Sequence, residues 1–268
     1  MSWLDRLRLG RAAPEPAAPS PTIADQLTAA SAAARAGDHA AALAIWGPLA
    51  REGVARAQSN VGACFAEGLG VERDLTLAMR WLGLAAEAGD PVGQRNLATL
   101  HFRGEGVARD DGRAAALYRA AAEQGDAAAQ DMLSWMLVED GALFDPAEAR
   151  LWAQRAAEQG VASAMTRLGM LHHNALGVTR DPAEAVRWWR MAADRGEPDA
   201  QSMLGAAYHL GSGVAADPVL ALAWLMRGAA GGSALAGRFL GPARAALGLA
   251  GIAEAEALAR RPLPEAAP

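Results

Sequence analysis

From about residue 22 onward the apolar residues recur at three- and four-residue intervals and never alternate singly. The pattern therefore predicts helices and no strands. The helices come in a unit that repeats. Trp46, Trp81, Leu117, Trp152, Trp188 and Trp224 are spaced by 35, 36, 35, 36 and 36 residues. Gly53, Gly89, Gly125, Gly160, Gly196 and Gly232 step by 36, 36, 35, 36 and 36. Asp74, Asp110, Asp145, Asp181 and Asp217 keep the same phase, as do Gln58, Gln94, Gln130 and Gln201.

Each residue type has a mechanical reason for its phase. Asp145-Pro-Ala-Glu148 and Asp181-Pro-Ala-Glu184 read as an N-cap, a proline at the first helical position and the Glu of a capping box. The Trp falls seven residues after the Asp, on the face of Ala78, Ala114, Ala149, Ala185 and Ala221. A large and a small residue on one face predict a tryptophan stripe in the core. The closing glycines, as in AAEQG125, fit left-handed helix C-caps. A helix carrying Val61-Gly62, Leu97-Ala98, Leu133-Ser134, Leu168-Gly169 or Leu204-Gly205 precedes each Asp, and turns such as Gly211-Ser-Gly213-Val214 join the two. Each unit is thus helix A, glycine turn, helix B.

The predicted organisation is a proline-rich tail over 1–21, a degenerate pair over 22–55, five full pairs over 56–234, capping helices over 235–261 and a tail over 262–268. Gly47-Pro48 and Gly241-Pro242 are expected to interrupt their helices. One helix pair cannot bury its apolar faces alone, but stacked copies can.

The stretch Ala200-Gln-Ser-Met-Leu-Gly-Ala-Ala-Tyr208 … Gly211-Ser-Gly213-Val214 … Asp217 … Ala221 … Trp224 resembles the Sel-1-like repeat (SLR) unit, a relative of the tetratricopeptide repeat. The resemblance covers roughly residues 22–261. It implies an all-α fold, an α-solenoid (right-handed superhelix) of stacked antiparallel helix pairs of about 36 residues. It also implies an adaptor, often bacterial, that joins partners in signalling or envelope-related complexes. Two departures stand out. The second unit has Leu117 where the family has Trp, and the third replaces its glycine turn with Glu139-Asp140-Gly141-Ala142-Leu143-Phe144, which leaves its A–B angle open.

Composition removes several functions. All 25 basic residues are Arg, so P-loop and Schiff-base chemistry are excluded. The formal net charge of −5 argues against a sequence-blind nucleic-acid binder. One cysteine, Cys64, forms no intrachain disulfide and no cysteine-cluster metal site. Family members linked to β-lactam binding or hydrolysis resemble this chain in repeat type but carry paired cysteines in each unit. No catalytic signature is present, and no cofactor or metal is expected. His101 and His172 hold the phase of Phe65 and Tyr208 and read as packing spacers. His173 and His209 share an outward phase. No run is long enough to span a membrane, and the expected location is the cytoplasm. Trp3, Leu4 and Leu7, with Arg6, Arg8 and Arg11 displaced from them, suit a disordered tail or a segment that docks on a partner or membrane surface.

The expected function is a non-catalytic scaffold that binds a protein or peptide partner in its concave groove. The alternatives are an envelope-related hydrolase on the same solenoid and a membrane-associated regulator tethered by residues 3–11. If the units curve as tetratricopeptide units do, groove positions lie two residues before the Leu of each Leu-Gly, and two, five and six after it. These are Arg95, Thr99, Phe102 and Arg103; Asp131, Trp135, Val138 and Glu139; Thr166, Met170, His173 and Asn174; and Ser202, Ala206, His209 and Leu210. The partner-binding candidates drawn from them are Arg95, Thr99, Phe102, Arg103, Trp135, Met170, His173 and His209. Trp135 has two readings, groove residue or core filler of its irregular unit. Arg95 and Arg103 beside Phe102 and Trp135 point to an apolar anchor next to an acidic group.

Overall fold

A computed structural model describes residues 21–139 and 141–263. The expectations for residues 1–20 and 264–268, including the Trp3-Leu4-Leu7 segment, lie outside the described residues. The first helix pair is α1 (Ile23–Arg35) and α2 (His39–Arg51). Five further pairs follow: α3 (Ala55–Glu67) with α4 (Leu75–Glu87), α5 (Pro91–Arg103) with α6 (Asp111–Glu123), and α7 (Ala127–Met136) with α8 (Pro146–Glu158). Then come α9 (Ala162–Asn174) with α10 (Pro182–Ala193), and α11 (Pro198–Leu210) with α12 (Pro218–Ala230). α13 (Ala236–Ala245) and α14 (Leu249–Arg260) close the C-terminal end against α12. The odd-numbered helices through α11 are the A helices and their even-numbered partners the B helices. A helices touch their counterparts in adjacent repeats (α3 with α5, α7 with α9, α9 with α11), whereas B helices meet chiefly the A helices beside them. The A layer is therefore the inner, concave one.

The repeated Asp ties each unit together twice. Its carboxylate accepts the N–H three residues on, as Asp145 does from Glu148 at 2.9 Å. Its own N–H donates to a carbonyl near the end of helix A: Asp74 to Phe65, Asp110 to His101, Asp181 to His172, Asp217 to Tyr208. That second bond removes the return arm of the expected capping boxes, because the N-cap N–H is already engaged. Glu148 instead accepts from Arg119 and from Trp152 Nε1, and Glu184 pairs with Arg187. The described box with both arms is Thr22 with Asp25.

The repeated Gln joins one unit to the next. Gln58, Gln94, Gln130 and Gln201 each donate a side-chain N–H to a carbonyl at the end of the preceding B helix: Ala50, Ala86, Ala122 and Ala193. Met165, fully buried, fills that phase in the fourth full repeat.

The small Ala of helix B is buried throughout, at Ala78, Ala114, Ala149, Ala185 and Ala221. The tryptophan stripe is less uniform than expected. Trp46 and Trp152 are buried, whereas Trp81, Trp188 and Trp224 are half-buried against the core clusters. The innermost position is one residue later, occupied by Leu82, Tyr118, Ala153, Trp189 and Leu225. It packs on the small residue of helix A so closely that a Cβ on Gly169 would lie 2.3 Å from Trp189 Nε1.

The prolines expected to break helices do not. α2 runs through Pro48 and α13 through Pro242, both on the exposed side. There the carbonyl left without an N–H partner can face water. The last repeat also holds the start of the expected C-terminal tail. Arg227 donates to the carbonyls of Leu258 and Arg261, and Leu263 is half-buried.

Two stability predictions follow from the repeat mechanics. Gly125, beyond the end of α6, has φ 90°, with nothing near enough to meet an added Cβ. Gly125→Val is expected to cost about 1–2 kcal/mol through the backbone alone; an unchanged urea midpoint would show that this conformation is not strained. His101 is half-buried, and burial lowers its pKa, with Arg113 adding to the effect and Asp110 opposing it. Protonation then favours the unfolded chain, so this contribution is full above the ordinary histidine range and disappears as pH falls through it. Between about pH 7.5 and about pH 5, His101→Phe is expected to lose less of its urea midpoint than the unsubstituted chain. Equal losses would remove His101 as a cause.

Candidate functional site

The third full repeat departs from the others, and the departure makes a cleft. In four turns the second glycine sits on the first residues of the preceding B helix: Gly70 over His39, Gly106 over Leu75, Gly177 over Pro146 and Gly213 over Pro182. A Cβ on Gly213 would lie 2.1 Å from the Pro182 carbonyl oxygen. The third repeat has Ala142 in that phase, and its seat would be the first turn of α6 at Asp111. An alanine cannot approach so closely, so the turn stands off. α7 ends at Met136, three residues sooner than its counterparts, and the Asp145 N–H still reaches its usual partner phase, the carbonyl of Leu137, at 2.9 Å. The A–B angle left open by the sequence is thus set by the same anchor as elsewhere.

The space left over is a cleft of about 360 Å³, bounded by Phe102, Trp135, Arg109, Asp111, Glu139 and Ala142 among others. Phe102 and Trp135 meet edge to face at its floor, with ring centroids 5.6 Å apart and planes at 89°. Backbone contact between α5 and α7 is marginal, so these two side chains carry much of the A-layer junction there. Trp135 rests on the cluster of Leu133, Met136 and Leu137, and is half-buried. It also lines a second cleft of about 230 Å³ with Met170, Thr166, Arg167, Glu139, Glu197 and Asp199. One surface of Trp135 thus fills the core and another separates two clefts.

The other candidates divide by what already holds them. Arg95 is paired with Asp126 at 2.7 Å, and Thr99 shares a hydrogen bond with Tyr118 at 2.9 Å. His173 lies against Trp189, ring centroids 5.4 Å apart, with its Nδ1 buried, so it covers a core tryptophan rather than facing outward. His209 meets Phe239 of α13 at 6.3 Å. Arg103 is exposed, and Glu105, 3.9 Å away, is held more closely by Arg73 at 2.7 Å. Met170 is 36% exposed at the second cleft.

The position two before the Leu is mostly taken up by the junction between repeats, although Thr166 also lines the second cleft. Ser59, Thr166 and Ser202 are buried there, and Arg95 and Asp131 make ties between repeats. Arg95 already has a carboxylate partner in Asp126. The charge left without an ion pair near Trp135 is negative: Glu139 makes none among the described residues, and Arg167 is engaged by Asp131 at 2.6 Å.

Arg109 was missed by the sequence reading. Arg73 and Arg180, in the same phase, donate to the carbonyls of Ala66 and His173. Arg109 instead chelates Asp111 at 2.8 and 2.9 Å and lies 5.1 Å from the Phe102 ring centroid, closing one end of the cleft. Its phase was visible; its release from the usual carbonyl was not. Among the described residues, no three His, Cys, Asp or Glu side chains converge as a metal site requires. No described helix is long and apolar enough to cross a membrane.

Comparison with known proteins places the repeats in a family. The Sel1 repeat matches residues 55–90, 91–126, 127–161, 162–197 and 198–233. A protective antigen of uropathogenic Escherichia coli strains that displays an SLR fold superposes with a TM-score of 0.85 at 29% identity, over 92% of this chain. The chain spans only 55% of that protein's length. A Sel1 repeat protein from Oxalobacter formigenes superposes with a TM-score of 0.78 at 28% identity, over 91% of this chain and 99% of that one. No curated protein matches the chain.

Proposed function

Since the chain belongs to the Sel1 repeat family, with five repeats over 55–233, we propose that it is a non-catalytic interaction scaffold that takes a segment of a protein partner along its A-helix face. One observation carries the reading. Phe102 and Trp135 meet at the floor of an open cleft that arises because the third turn cannot seat. Half-buried aromatics around a concave space are the usual anchors of protein interfaces. The ionisable groups in that cleft do not form a nucleophile–base pair, and Arg109 and Asp111 neutralise each other.

The test is capture of the partner with cross-linking mass spectrometry, followed by Phe102→Ala and Trp135→Ala. Each substitution is expected to weaken partner binding by about 2 kcal/mol or more. Each should cost less in folding than the roughly 3–5 kcal/mol of a fully buried aromatic. Retained binding in both folded variants, or cross-links confined to the B-helix face, would overturn the reading.

A further inference from the structure

The two clefts on either side of Trp135 differ in charge. In the first, Arg109 and Asp111 neutralise each other. The second is bordered by the carboxylates of Glu139, Glu197 and Asp199, with Arg167 as the one cation among its lining residues. Arg167 is already engaged by Asp131 at 2.6 Å. None of the three carboxylates has an ion-pair partner among the described residues. Two of them are nonetheless held in place. Glu197 accepts from Thr166 Oγ1 at 2.9 Å, and Asp199 accepts from Ser233 Oγ at 2.6 Å. Neutral donors fix a carboxylate without cancelling its charge, so this rim is negative and already ordered.

The acid is local rather than a matter of composition. The equivalent space between α1 and α3 is bordered by Arg35, in the phase of Glu139, and by Arg56, in the phase of Ser163. Its described lining includes no carboxylate. The floor of the second cleft is apolar, made by Trp135, Val138 and the exposed Met170. Phe102, Trp152, Tyr208 and Trp224 each have an arginine of the chain over the ring, 4.6 to 5.7 Å from its centroid. No arginine among the described residues covers Trp135 in that way, although an indole face is the best aromatic partner for a cation. A space of about 230 Å³ is smaller than an ordinary small-molecule pocket and suits one long side chain.

We infer that the second cleft takes an arginine or lysine side chain of the partner segment, its stem on Trp135 and Met170 and its cation facing Glu139, Glu197 and Asp199. This rests on the reading of the A-helix face as a binding surface and names the chemistry of what binds there. The partner presents a basic residue beside a large apolar one, and the apolar group enters the first cleft against Phe102. That is the opposite of the acidic group to which Arg95 and Arg103 pointed.

Two labelled peptides of equal apolar content test it, acetyl-Gly-Leu-Arg-Leu-Arg-Leu-Gly and acetyl-Gly-Leu-Glu-Leu-Glu-Leu-Gly, titrated with the full chain and followed by fluorescence anisotropy. The basic peptide is expected to bind at least about tenfold more tightly in about 0.05 M salt, an advantage that shrinks in about 0.5 M. Glu139→Arg and Asp199→Arg, both at exposed positions, should each cut that preference at least about fivefold. Glu87→Arg, the same charge reversal at the exposed end of α4, should leave it intact, which separates the cleft from the net charge of −5. Trp135→Ala should weaken the basic peptide as well. Equal affinities, or binding of neither peptide up to about 1 mM, would overturn the inference. So would a preference untouched by Trp135→Ala, or one that Glu87→Arg erodes as much as Glu139→Arg does. The scaffold reading falls separately, only if Phe102→Ala and Trp135→Ala leave partner capture unchanged.

Discussion

Replacing Gly213 by alanine is expected to destabilise the protein by about 2–5 kcal/mol. Two costs add. The residue has φ 73°, a left-handed conformation that a Cβ makes unfavourable by about 1–2 kcal/mol. The new Cβ would also lie 2.1 Å from the Pro182 carbonyl oxygen and 2.3 Å from its carbon. Those are backbone atoms at the start of α10, so no side chain can swing aside, and the turn must lift at an overpacking cost of about 1–3 kcal/mol. Gly125→Ala is the control, because Gly125 shares the positive φ but has open space around it. Urea unfolding of both variants separates backbone strain from the close approach. If Gly213→Ala costs no more than Gly125→Ala, the turn is not seated on α10 as described.

The second large effect is expected at Arg167. Its side chain is 10% exposed and its Nη1 lies 2.6 Å from both Asp131 Oδ1 and Ser134 Oγ. Asp131, 19% exposed, also accepts from Ser163 Oγ at 2.7 Å, so one small network ties α7 to α9. Arg167→Met removes the cation and leaves Asp131 with a single neutral donor. A loss of about 2–4 kcal/mol is expected, below the full range for a buried pair because the carboxylate retains some water. Arg167→Met with Asp131→Leu should recover part of that loss, since the stranded charge goes too. Additive losses in the double variant would show that the two side chains act independently.

These two sites mark the limits of what the sequence displays. The glycine and aspartate phases were legible because caps and turns are local devices, set within a few residues and repeated often enough to stand out from composition. The Arg167–Asp131 tie was not legible. It joins residues 36 apart, and Arg167 occupies a phase held elsewhere by Asn60, Asn96, Met132 and Met203, so no period announces it. For the candidate site, the meeting of Phe102 and Trp135 followed from their phases. Which positions face the groove did not. The residue two before the Leu is mostly engaged by the adjoining repeat, a property of how closely A helices approach, and that depends on side chains a full repeat away. Likewise the sequence displayed an irregular third turn without the reason it opens a space, which lies in α6, at the site where Ala142 fails to seat.

The unseated turn has a mechanical consequence. A stack in which each layer grips only its neighbours behaves as springs in series, and its give collects at the softest joint. Four turns are clamped on the helix behind them; at the third, Ala142 and Asp111 border a cleft of about 360 Å³ instead. On the outer layer the same joint is pinned by the bidentate Arg119–Glu148 pair, at 3.0 and 2.9 Å. The softest joint of the stack is therefore expected at the inner rim, where the contact of Phe102 with Trp135 stands in for a seated turn. If an anchor enters there, the spacing of those two rings is the dimension expected to change, with the repeats at either end left as they are.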